Sequence, residues 1–363
     1  MALPTPRPGI LDIAPYVPGS AEAPGVSKVY KLSSNESALG ASKKAISAYN
    51  DEGASLHLYP DGASTALREK IADLHGLNAN RIVCGAGSDE ILQLITRAYL
   101  GPGDNIIQTD HGFLVYALAA KGCGAEVRFA PEKDLTADMD EILKLVDDKT
   151  RLVFVANPNN PTGSYIPFSE LRRLRSELPE NIILIIDAAY AEYMEESDYE
   201  AGAALVEETP NVVMTRTFSK IYGLGGIRLG WGYFPEAIAD VINRIRGPFN
   251  VNSPAIAAGI AALEDQDFVE ENRTFNKQER EFLQQQLGGM GLHYKRSFGN
   301  FILVKFPEAA GKNAADIQAH LRKGGVIVRE MGAYKLEQWL RISIGTKEAN
   351  RKLIGLLEEK FAM

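Results

Sequence analysis

The stretch NIILIID (181–187) decides the fold. It is a nearly unbroken apolar run that ends in an aspartate. A strand with one solvent-facing side alternates apolar and polar residues, whereas an unbroken run suits a strand that is buried on both faces. Helical patterns such as SDEILQLITRAYL (88–100) alternate with further strand patterns, which lie at 81–87, 103–110, 126–131, 151–158 and 211–217. This alternation predicts an α/β fold with a doubly wound, mainly parallel sheet.

The sequence changes character after about residue 250. A long charged helical pattern covers 264–289, and short strand patterns follow at 294–306, 325–331 and 340–345. Strands and helices grouped in this way predict a smaller α+β domain, which we expect to cover the mouth of the site on the first domain. The predicted domains are an extended Pro- and Gly-rich arm (1–30), a large domain (31–255, with 31–50 able to pack against the small domain) and a small domain (256–363).

Composition limits the possible functions. The 363 residues are 45% hydrophobic and carry a net charge of -8, which argues against a general nucleic-acid-binding protein. Two cysteines, Cys84 and Cys123, form neither a disulfide framework nor a metal-ligand pattern, so we expect no metal and a reducing compartment. The start lacks a signal-peptide pattern, and no apolar run approaches the roughly 20 residues that span a bilayer. We therefore expect a cytoplasmic protein with no membrane partner.

Ligands of doubly wound sheets bind at the carboxyl ends of the strands, where the segment TFSKIYGLGGIRLGW (217–231) is expected to lie. It places Lys220 among the hydroxyls of Thr217 and Ser219, with Arg228 eight residues further on. Hydroxyls and a guanidinium suit a phosphate, and glycines 223, 225 and 226 would let the backbone approach closely. A lysine amine becomes a nucleophile when it is desolvated or lies near another cation. The alternative is a solvated lysine before a flexible turn.

Asp187 ends the apolar run, where an unpaired carboxylate would be unfavourable. It could hold a protonated ring nitrogen, or it could simply cap the next element. Tyr190 lies three residues on and would offer a phenolic hydrogen bond in the same pocket. NPNNPTG (157–163) is either an ordinary turn or a turn that presents the amide of Asn160 to a ring oxygen.

Two further patterns indicate sites for anions. CGAGSDE (84–90) leads into a helix that has Ser88 as its expected N-cap, and helix N-termini bind phosphate. We include Asp89 with the cofactor contacts, although its carboxylate must point away from a bound phosphate. Arg329 and Arg341 lie within apolar strand patterns, where each needs an anionic partner, either an internal carboxylate or a substrate.

The order and spacing of these patterns resemble the fold type I pyridoxal-phosphate-dependent aminotransferases, over about residues 10–360, and among them the histidinol-phosphate aminotransferases. The segments that carry the closer resemblance are APYVPG (14–19), KLSSNESALG (31–40), LYPDG (58–62), HGFLVY (111–116), 217–231, VIVREMGAY (326–334) and LRISIG (340–345). The resemblance implies an aminotransferase whose large domain binds pyridoxal 5'-phosphate. The NESA segment (35–38) lacks the proline that is common there in the family.

The resemblance also implies roles for individual residues. Lys220 would be the Schiff-base lysine that shuttles the proton, and Asp187 would pair with the pyridinium nitrogen. The other implied cofactor contacts are Asn160 and Tyr190 at the ring oxygen, Tyr116 on the ring face, and Ser88, Asp89, Thr217, Ser219 and Arg228 around the phosphate. Tyr59 would reach the phosphate of a neighbouring subunit, which implies a homodimer. Tyr16, Asn35, Arg329 and Arg341 would contact substrate.

The implied reaction is ping-pong transfer of an amino group between L-histidinol phosphate and 2-oxoglutarate, a step of histidine biosynthesis. The alternatives within the superfamily are an aromatic amino-acid aminotransferase, for phenylalanine or tyrosine, and a phosphothreonine decarboxylase. A non-catalytic pyridoxal-phosphate-binding regulator would usually add a basic DNA-binding segment, which this sequence lacks. A Rossmann dehydrogenase also fits the periodicity, but the sequence has no G-x-G-x-x-G between an early strand and a helix.

Overall fold

The computed structural model describes residues 5–7, 9–14 and 25–361. Within these ranges the strands form two larger sheets and one hairpin. The strands are β1 (Tyr30–Leu32), β2 (Ile82–Gly85), β3 (Asn105–Thr109), β4 (Glu126–Ala130), β5 (Glu132–Lys133), β6 (Thr136–Ala137), β7 (Thr150–Ala156), β8 (Ile183–Asp187), β9 (Val212–Thr217), β10 (Gly230–Tyr233), β11 (His293–Lys295), β12 (Phe301–Lys305), β13 (Val326–Glu330) and β14 (Trp339–Ser343).

Helices cover both faces of the larger sheet and one end of the molecule. They are α1 (Lys43–Asp51), α2 (Thr65–His75), α3 (Ser88–Tyr99), α4 (Leu114–Gly122), α5 (Met139–Lys144), α6 (Phe168–Glu177), α7 (Ala203–Glu208), α8 (Glu236–Ile245), α9 (Ser253–Glu264), α10 (Gln266–Gly289), α11 (Ala314–Lys323) and α12 (Lys347–Phe361). Of the helices in the described ranges, none is long and apolar enough to cross a membrane.

The larger sheet has the strand order β2-β10-β9-β8-β7-β3-β4. The pairs among β3, β4, β7, β8 and β9 are parallel, as expected from the alternation of strands and helices. Strand β10, which we did not predict, is inserted between β2 and β9 and runs antiparallel to both. It begins inside the glycine-rich segment that follows Lys220, and it ties that segment to the start of α3.

The central strands are buried on both faces. In β8, Ile183 and Ile185 belong to one hydrophobic core, while Leu184 and Ile186 belong to the core on the other side of the sheet. Successive side chains of a strand point to opposite faces, so both sets are apolar only when helices cover both faces. The unbroken apolar run in the sequence follows from this arrangement.

The second sheet has the order β1-β13-β14-β12-β11 and is antiparallel except for the pair β1–β13. Its core includes residues of α10, α11 and α12. Helix α9, which begins at Ser253, contributes instead to the core of the larger sheet. The domain limits given above remain a prediction. Strand β1, which lies near the start of the predicted large domain, is hydrogen-bonded to β13 of the second sheet.

The N-terminus of α3 differs from the prediction by one residue. Ser88 is the first helical residue, and Gly87 occupies the cap position with φ 87°. A glycine is required there because this backbone conformation is rarely adopted by other residues, and because a Cβ atom would lie 2.5 Å from Arg228 Nη2.

Candidate active site

A cavity of about 650 Å³ opens at the carboxyl ends of β7, β8 and β9 and extends to β13 and β14 of the second sheet. The predicted site residues that lie in the described ranges, apart from Tyr59, all line this cavity. They are Asn35, Ser88, Asp89, Tyr116, Asn160, Asp187, Tyr190, Thr217, Ser219, Lys220, Arg228, Arg329 and Arg341. The fold thus brings together residues that are up to 306 positions apart (Arg341 minus Asn35).

Asp187 lies in the wall of the cavity and is 5% exposed. Its two carboxylate oxygens accept hydrogen bonds from different hydroxyls: Tyr116 Oη lies 2.6 Å from Oδ2, and Thr215 Oγ1 lies 3.2 Å from Oδ1. Burial raises the pKa of Asp187, and the two hydroxyl hydrogen bonds oppose that rise. The carboxylate is therefore held in a dry place by donors that favour its charged form.

Tyr190 faces Lys220 and is fixed by the chain segment that follows β1. Asn35 Nδ2 donates to Tyr190 Oη at 2.9 Å, and Lys220 Nζ lies 5.7 Å from the centre of the Tyr190 ring. Burial raises the pKa of Tyr190 to about 12, so its hydroxyl keeps its proton at neutral pH. Asn35 is itself 1% exposed and is held by the hydroxyl of Ser343 on β14.

The N-terminus of α3 and the guanidinium of Arg228 form the polar end of the cavity. Strand β10 packs closely against this point, since a Cβ atom on Gly230 would lie 2.2 Å from the backbone nitrogen of Ser88. The carboxylate of Asp89 lies beside this guanidinium, with its Oδ2 3.2 Å from Arg228 Nη2. That it points away from a bound phosphate stays a prediction. Arg228 attracts the nearest carboxylate, and a phosphate at this helix terminus would compete with Asp89 for the same guanidinium.

The loop after β9 is shaped by only one of the three glycines named above. Gly223 has φ 68°, and a Cβ atom there would lie 1.9 Å from the carbonyl oxygen of Gly40. Gly225 and Gly226 have no such close neighbour in the protein, and close approach of a ligand at these two positions stays a prediction. Thr217 Oγ1 accepts the backbone N–H of Ser219 at 3.1 Å and so turns the chain toward Lys220.

Two arginines from the second sheet complete the cavity wall. Arg329 on β13 and Arg341 on β14 are paired residues of adjacent antiparallel strands. Arg341 is 7% exposed and donates to Asn160 Oδ1 at 2.6 Å and to the carbonyl oxygen of Ser33 at 2.8 Å. The contact with Asn160 orients its side chain so that the amide nitrogen remains as a donor.

Tyr116 occupies a different position from the predicted one. Its ring is 1% exposed and stacks on Phe154 with centroids 4.7 Å apart, while its hydroxyl reaches Asp187. Phe113, one helical turn earlier, also lines the cavity and contacts Tyr116 edge to face. We did not name Phe113 from the sequence, although HGFLVY (111–116) contains both aromatic residues.

Two predicted tyrosines lie away from this cavity or outside the described ranges. Tyr59 is 81% exposed and stacks on Phe249 with centroids 4.6 Å apart. It is available to another subunit and does not reach the cavity of its own chain. Tyr16 lies outside the described residues. In the described ranges, no group of three His, Cys, Asp or Glu side chains is placed to hold a metal ion.

A buried ion pair on the face of the sheet opposite the site was also not predicted from the sequence. Arg216 on β9 lies between Thr215 and Thr217 and points to the opposite face of the sheet, where its guanidinium contacts Glu192 Oε1 at 2.9 and 3.2 Å. Both side chains are at most 11% exposed. The pair joins the turn after Tyr190 to the strand that leads to Lys220. An arginine inside a largely apolar strand was the sequence signal for it.

The residues fit pyridoxal phosphate on the chemistry of the donor set. A lysine amine and a buried carboxylate occupy one cavity, with a glycine-capped helix N-terminus and an arginine at its end. Cβ atoms at Gly87 or Gly230 would fill the space around that terminus. An aldehyde, a ring nitrogen and a phosphate each find a chemically suitable group.

Comparisons with known proteins agree with this geometry. The family model for "Aminotransferase class I and II" matches residues 27–357. The histidinol-phosphate aminotransferase of Maricaulis maris is 54% identical over 97% of this chain and 97% of its own. That of Paramagnetospirillum magneticum is 52% identical over 99% of both chains. The crystal structure of histidinol-phosphate aminotransferase from Sinorhizobium meliloti with pyridoxal-5'-phosphate superposes with a TM-score of 0.91 at 27% identity, covering 99% of this chain and 98% of that one.

These matches extend over nearly the whole of this chain and of the relatives. They confirm the fold type I architecture and the enzyme class that the sequence motifs indicated. The chain therefore belongs to the class I and II aminotransferase family and, within it, to the group of histidinol-phosphate aminotransferases.

Proposed function

We propose that this enzyme uses pyridoxal phosphate to transfer the amino group of L-histidinol phosphate to 2-oxoglutarate. The observation that carries the proposal is the single cavity that contains Lys220, Asp187, Arg228 and the arginine pair of the second sheet. Relatives at 50–54% identity over the full chain carry the name histidinol-phosphate aminotransferase, which supports this choice of amino donor.

The site residues would hold the cofactor at three points. Lys220 Nζ would bind its aldehyde carbon, Asp187 would pair with its ring nitrogen, and the N-terminus of α3 with Arg228 would bind its phosphate. Tyr190 and Asn160 donate to the ring oxygen. Phe113 is our candidate for the ring face, because the ring of Tyr116 is stacked on Phe154.

Bound pyridoxal phosphate supplies an aldehyde that condenses with amines and a protonated ring that withdraws electrons. The Lys220 amine, once released by the amino donor, would be the base that takes the α-proton of the donor at Nζ and would hold that proton for its return on the cofactor side of the nitrogen. Asp187 keeps the proton on the ring nitrogen, and Tyr190 steadies the charge on the ring oxygen. The second sheet covers this part of the cavity with Arg329 and Arg341. We expect this cover to limit the access of water to the reacting atoms.

The two arginines explain how one site could accept two different substrates. A guanidinium binds phosphate and carboxylate with the same fork of donors. We propose that Arg341, which Asn160 and Ser33 hold in place, binds the α-carboxylate of glutamate. Arg329 would then bind the phosphate of histidinol phosphate or the second carboxylate of the oxo acid.

We further propose a homodimer in which Tyr59 reaches the phosphate of the neighbouring site. Tyr59 belongs to a group of large apolar side chains that are exposed in the single chain, namely Ile46, Tyr49, Leu56, Leu58, Tyr59 and Phe249. Large apolar side chains that are exposed in a single chain are often covered at an interface with another chain. The two free cysteines, Cys84 and Cys123, agree with a cytoplasmic location.

The test is a steady-state comparison of amino donors with 2-oxoglutarate as acceptor, in which the visible spectrum is recorded after each half-reaction. We expect histidinol phosphate to exceed phenylalanine in kcat/KM, and Lys220→Ala to lose both turnover and the absorbance of lysine-bound cofactor. A preference for phenylalanine would establish the aromatic alternative, and release of carbon dioxide would indicate a decarboxylase. Full activity of Lys220→Ala would overturn the assignment of the lysine.

A separate experiment addresses the dimer. Sedimentation at assay concentrations should give twice the mass of the 39.6 kDa chain. Replacing the exposed Tyr59 by Phe removes one hydroxyl, so it should weaken binding of pyridoxal phosphate by about 1 kcal/mol. A fully active monomer would contradict the proposal.

A further inference from the structure

The hydroxyl of Tyr116 makes a short hydrogen bond inside the site. Tyr116 is on α4 and Asp187 ends β8, and Tyr116 Oη lies 2.6 Å from Asp187 Oδ2. The exposed fractions of the two residues are 1% and 5%. A distance of 2.5–2.7 Å is typical of a hydroxyl that donates to a charged carboxylate. The contact is thus largely shielded from solvent.

The surroundings of Tyr116 fix the direction of its hydroxyl. Its ring is stacked on Phe154 of β7 with an interplanar angle of 13°, and Phe113 meets it edge to face with centroids 5.8 Å apart. Strand β7 lies beside β8 in the sheet, with Ala156 in register with Asp187. The phenol therefore packs on β7, the strand next to the one that carries the carboxylate.

We propose that Tyr116 is a positioning residue, whose hydroxyl holds Asp187 oriented and ionised so that the proton remains on the ring nitrogen of the cofactor. The inference rests on the proposed function, because the ring nitrogen belongs to pyridoxal phosphate. It replaces the role on the ring face that the sequence had indicated for Tyr116.

Asp187 and the ring nitrogen of the cofactor would compete for one proton. The proton between a carboxylate and a ring nitrogen stays on nitrogen only if the carboxylate is the weaker base. Burial and the negative charge of Asp89 strengthen Asp187 as a base, while the hydroxyls of Tyr116 and Thr215 weaken it. Tyr190 and Tyr199 also interact with Asp187 electrostatically, and burial raises the pKa of each. They remain neutral near pH 7.

The test is Tyr116→Phe, which removes one oxygen and keeps the ring that packs on Phe154. The first readout is the ¹⁵N NMR signal of ring-labelled pyridoxal phosphate bound to the full-length enzyme. We expect the signal to move toward that of an unprotonated pyridine. Loss of a hydrogen bond to a charged group should shift the proton equilibrium about 10- to 100-fold, and kcat should fall by about the same factor.

The second readout is the pH profile. The pH at which the ring nitrogen loses its proton should be lower by about one to two units in Tyr116→Phe than in wild type. Tyr199→Phe is the control, because Tyr199 is a partly buried tyrosine whose hydroxyl donates to the carbonyl oxygen of Asn157 at 2.9 Å and not to Asp187. It should retain the wild-type ¹⁵N signal and pH profile.

An unchanged ¹⁵N signal and pH profile in a folded Tyr116→Phe enzyme would overturn the inference. If that variant does not fold, Thr215→Val removes the other hydroxyl on Asp187 and should move the signal in the same direction; an unchanged signal there would overturn it equally. A wild type that neither binds pyridoxal phosphate nor transaminates would remove the proposed function and this inference together. If the wild type is active and Tyr116→Phe keeps the wild-type ¹⁵N signal and pH profile, only this inference is overturned.

Discussion

Lowering the pH from 7.5 to 5.0 should destabilise this protein by about 2 kcal/mol through His75 alone. His75 ends α2, and its ring stacks on Trp231 with centroids 5.5 Å apart. The guanidinium of Arg216 lies 5.7 Å from the centre of the same Trp231 ring. Burial, and secondly the charge of Arg216, lower the pKa of His75 from 6.5 to about 3.

The sign and the size of this pH effect follow from the number of protons that His75 binds in the folded and the unfolded state. At pH 5.0 the unfolded chain binds nearly one proton at His75 and the folded chain binds almost none, so acid favours unfolding. The stability is complete above the unfolded-state pKa of 6.5 and is lost as the pH falls toward the folded-state value. The loss at pH 5.0 is about 1.36 kcal/mol per unit over about 1.5 units, or about 2 kcal/mol.

The measurement is urea unfolding at pH 7.5 and 5.0 at fixed protein and cofactor concentrations. His75→Phe keeps an aromatic ring beside Trp231 but binds no proton, so its stability should fall by about 2 kcal/mol less than that of wild type over this range. His57 is exposed, and His57→Gln is the control that should behave as wild type. The same pH dependence in wild type and His75→Phe would refute the reasoning.

Three further predictions concern the frame of the site. Gly230→Ala places a Cβ atom 2.2 Å from the first backbone nitrogen of α3, so a calorimetric titration should show weaker binding of pyridoxal phosphate and a stability loss of about 1–3 kcal/mol. Arg216→Met leaves Glu192 buried without its cation, and denaturant unfolding should show a loss of about 3–5 kcal/mol; a loss below about 1 kcal/mol would contradict this. Burial raises the pKa of Cys84 to about 12, so iodoacetamide at pH 8 should modify the partly exposed Cys123 and spare Cys84, as mass spectrometry can check.

The strands of the larger sheet could be predicted because burial on both faces requires a nearly unbroken run of apolar residues. NIILIID (181–187) became β8, and the carboxyl end of that strand carries the predicted aspartate. Strand β10 escaped prediction because GWGY is short and alternates glycine with aromatics. Its glycines allow β10 to pack closely against α3. The periodicity of apolar residues in the sequence does not predict such contacts.

The site could be predicted as a set of chemical groups, but not as a set of contacts. The segment 111–116 offers two aromatic residues one helical turn apart, and which of them faces a ligand depends on the rotation of α4 in the fold. The pairing of Arg216 with Glu192 depends likewise on the turn after β8. The contact of Asp89 with Arg228 could not be predicted either, because the two residues are far apart in the sequence.

The position of β1 has a consequence for the order of events during synthesis. Residues 30–32 are among the first to leave the ribosome, yet their hydrogen-bonding partner is the strand at 326–330. Asn35, immediately downstream, needs the hydroxyl of Ser343 and in turn holds Tyr190. A nascent chain that ends before residue 326 therefore lacks the partner strand of β1, and one that ends before residue 343 lacks the hydroxyl that holds Asn35. Catalytic competence should arrive only with the last few dozen residues.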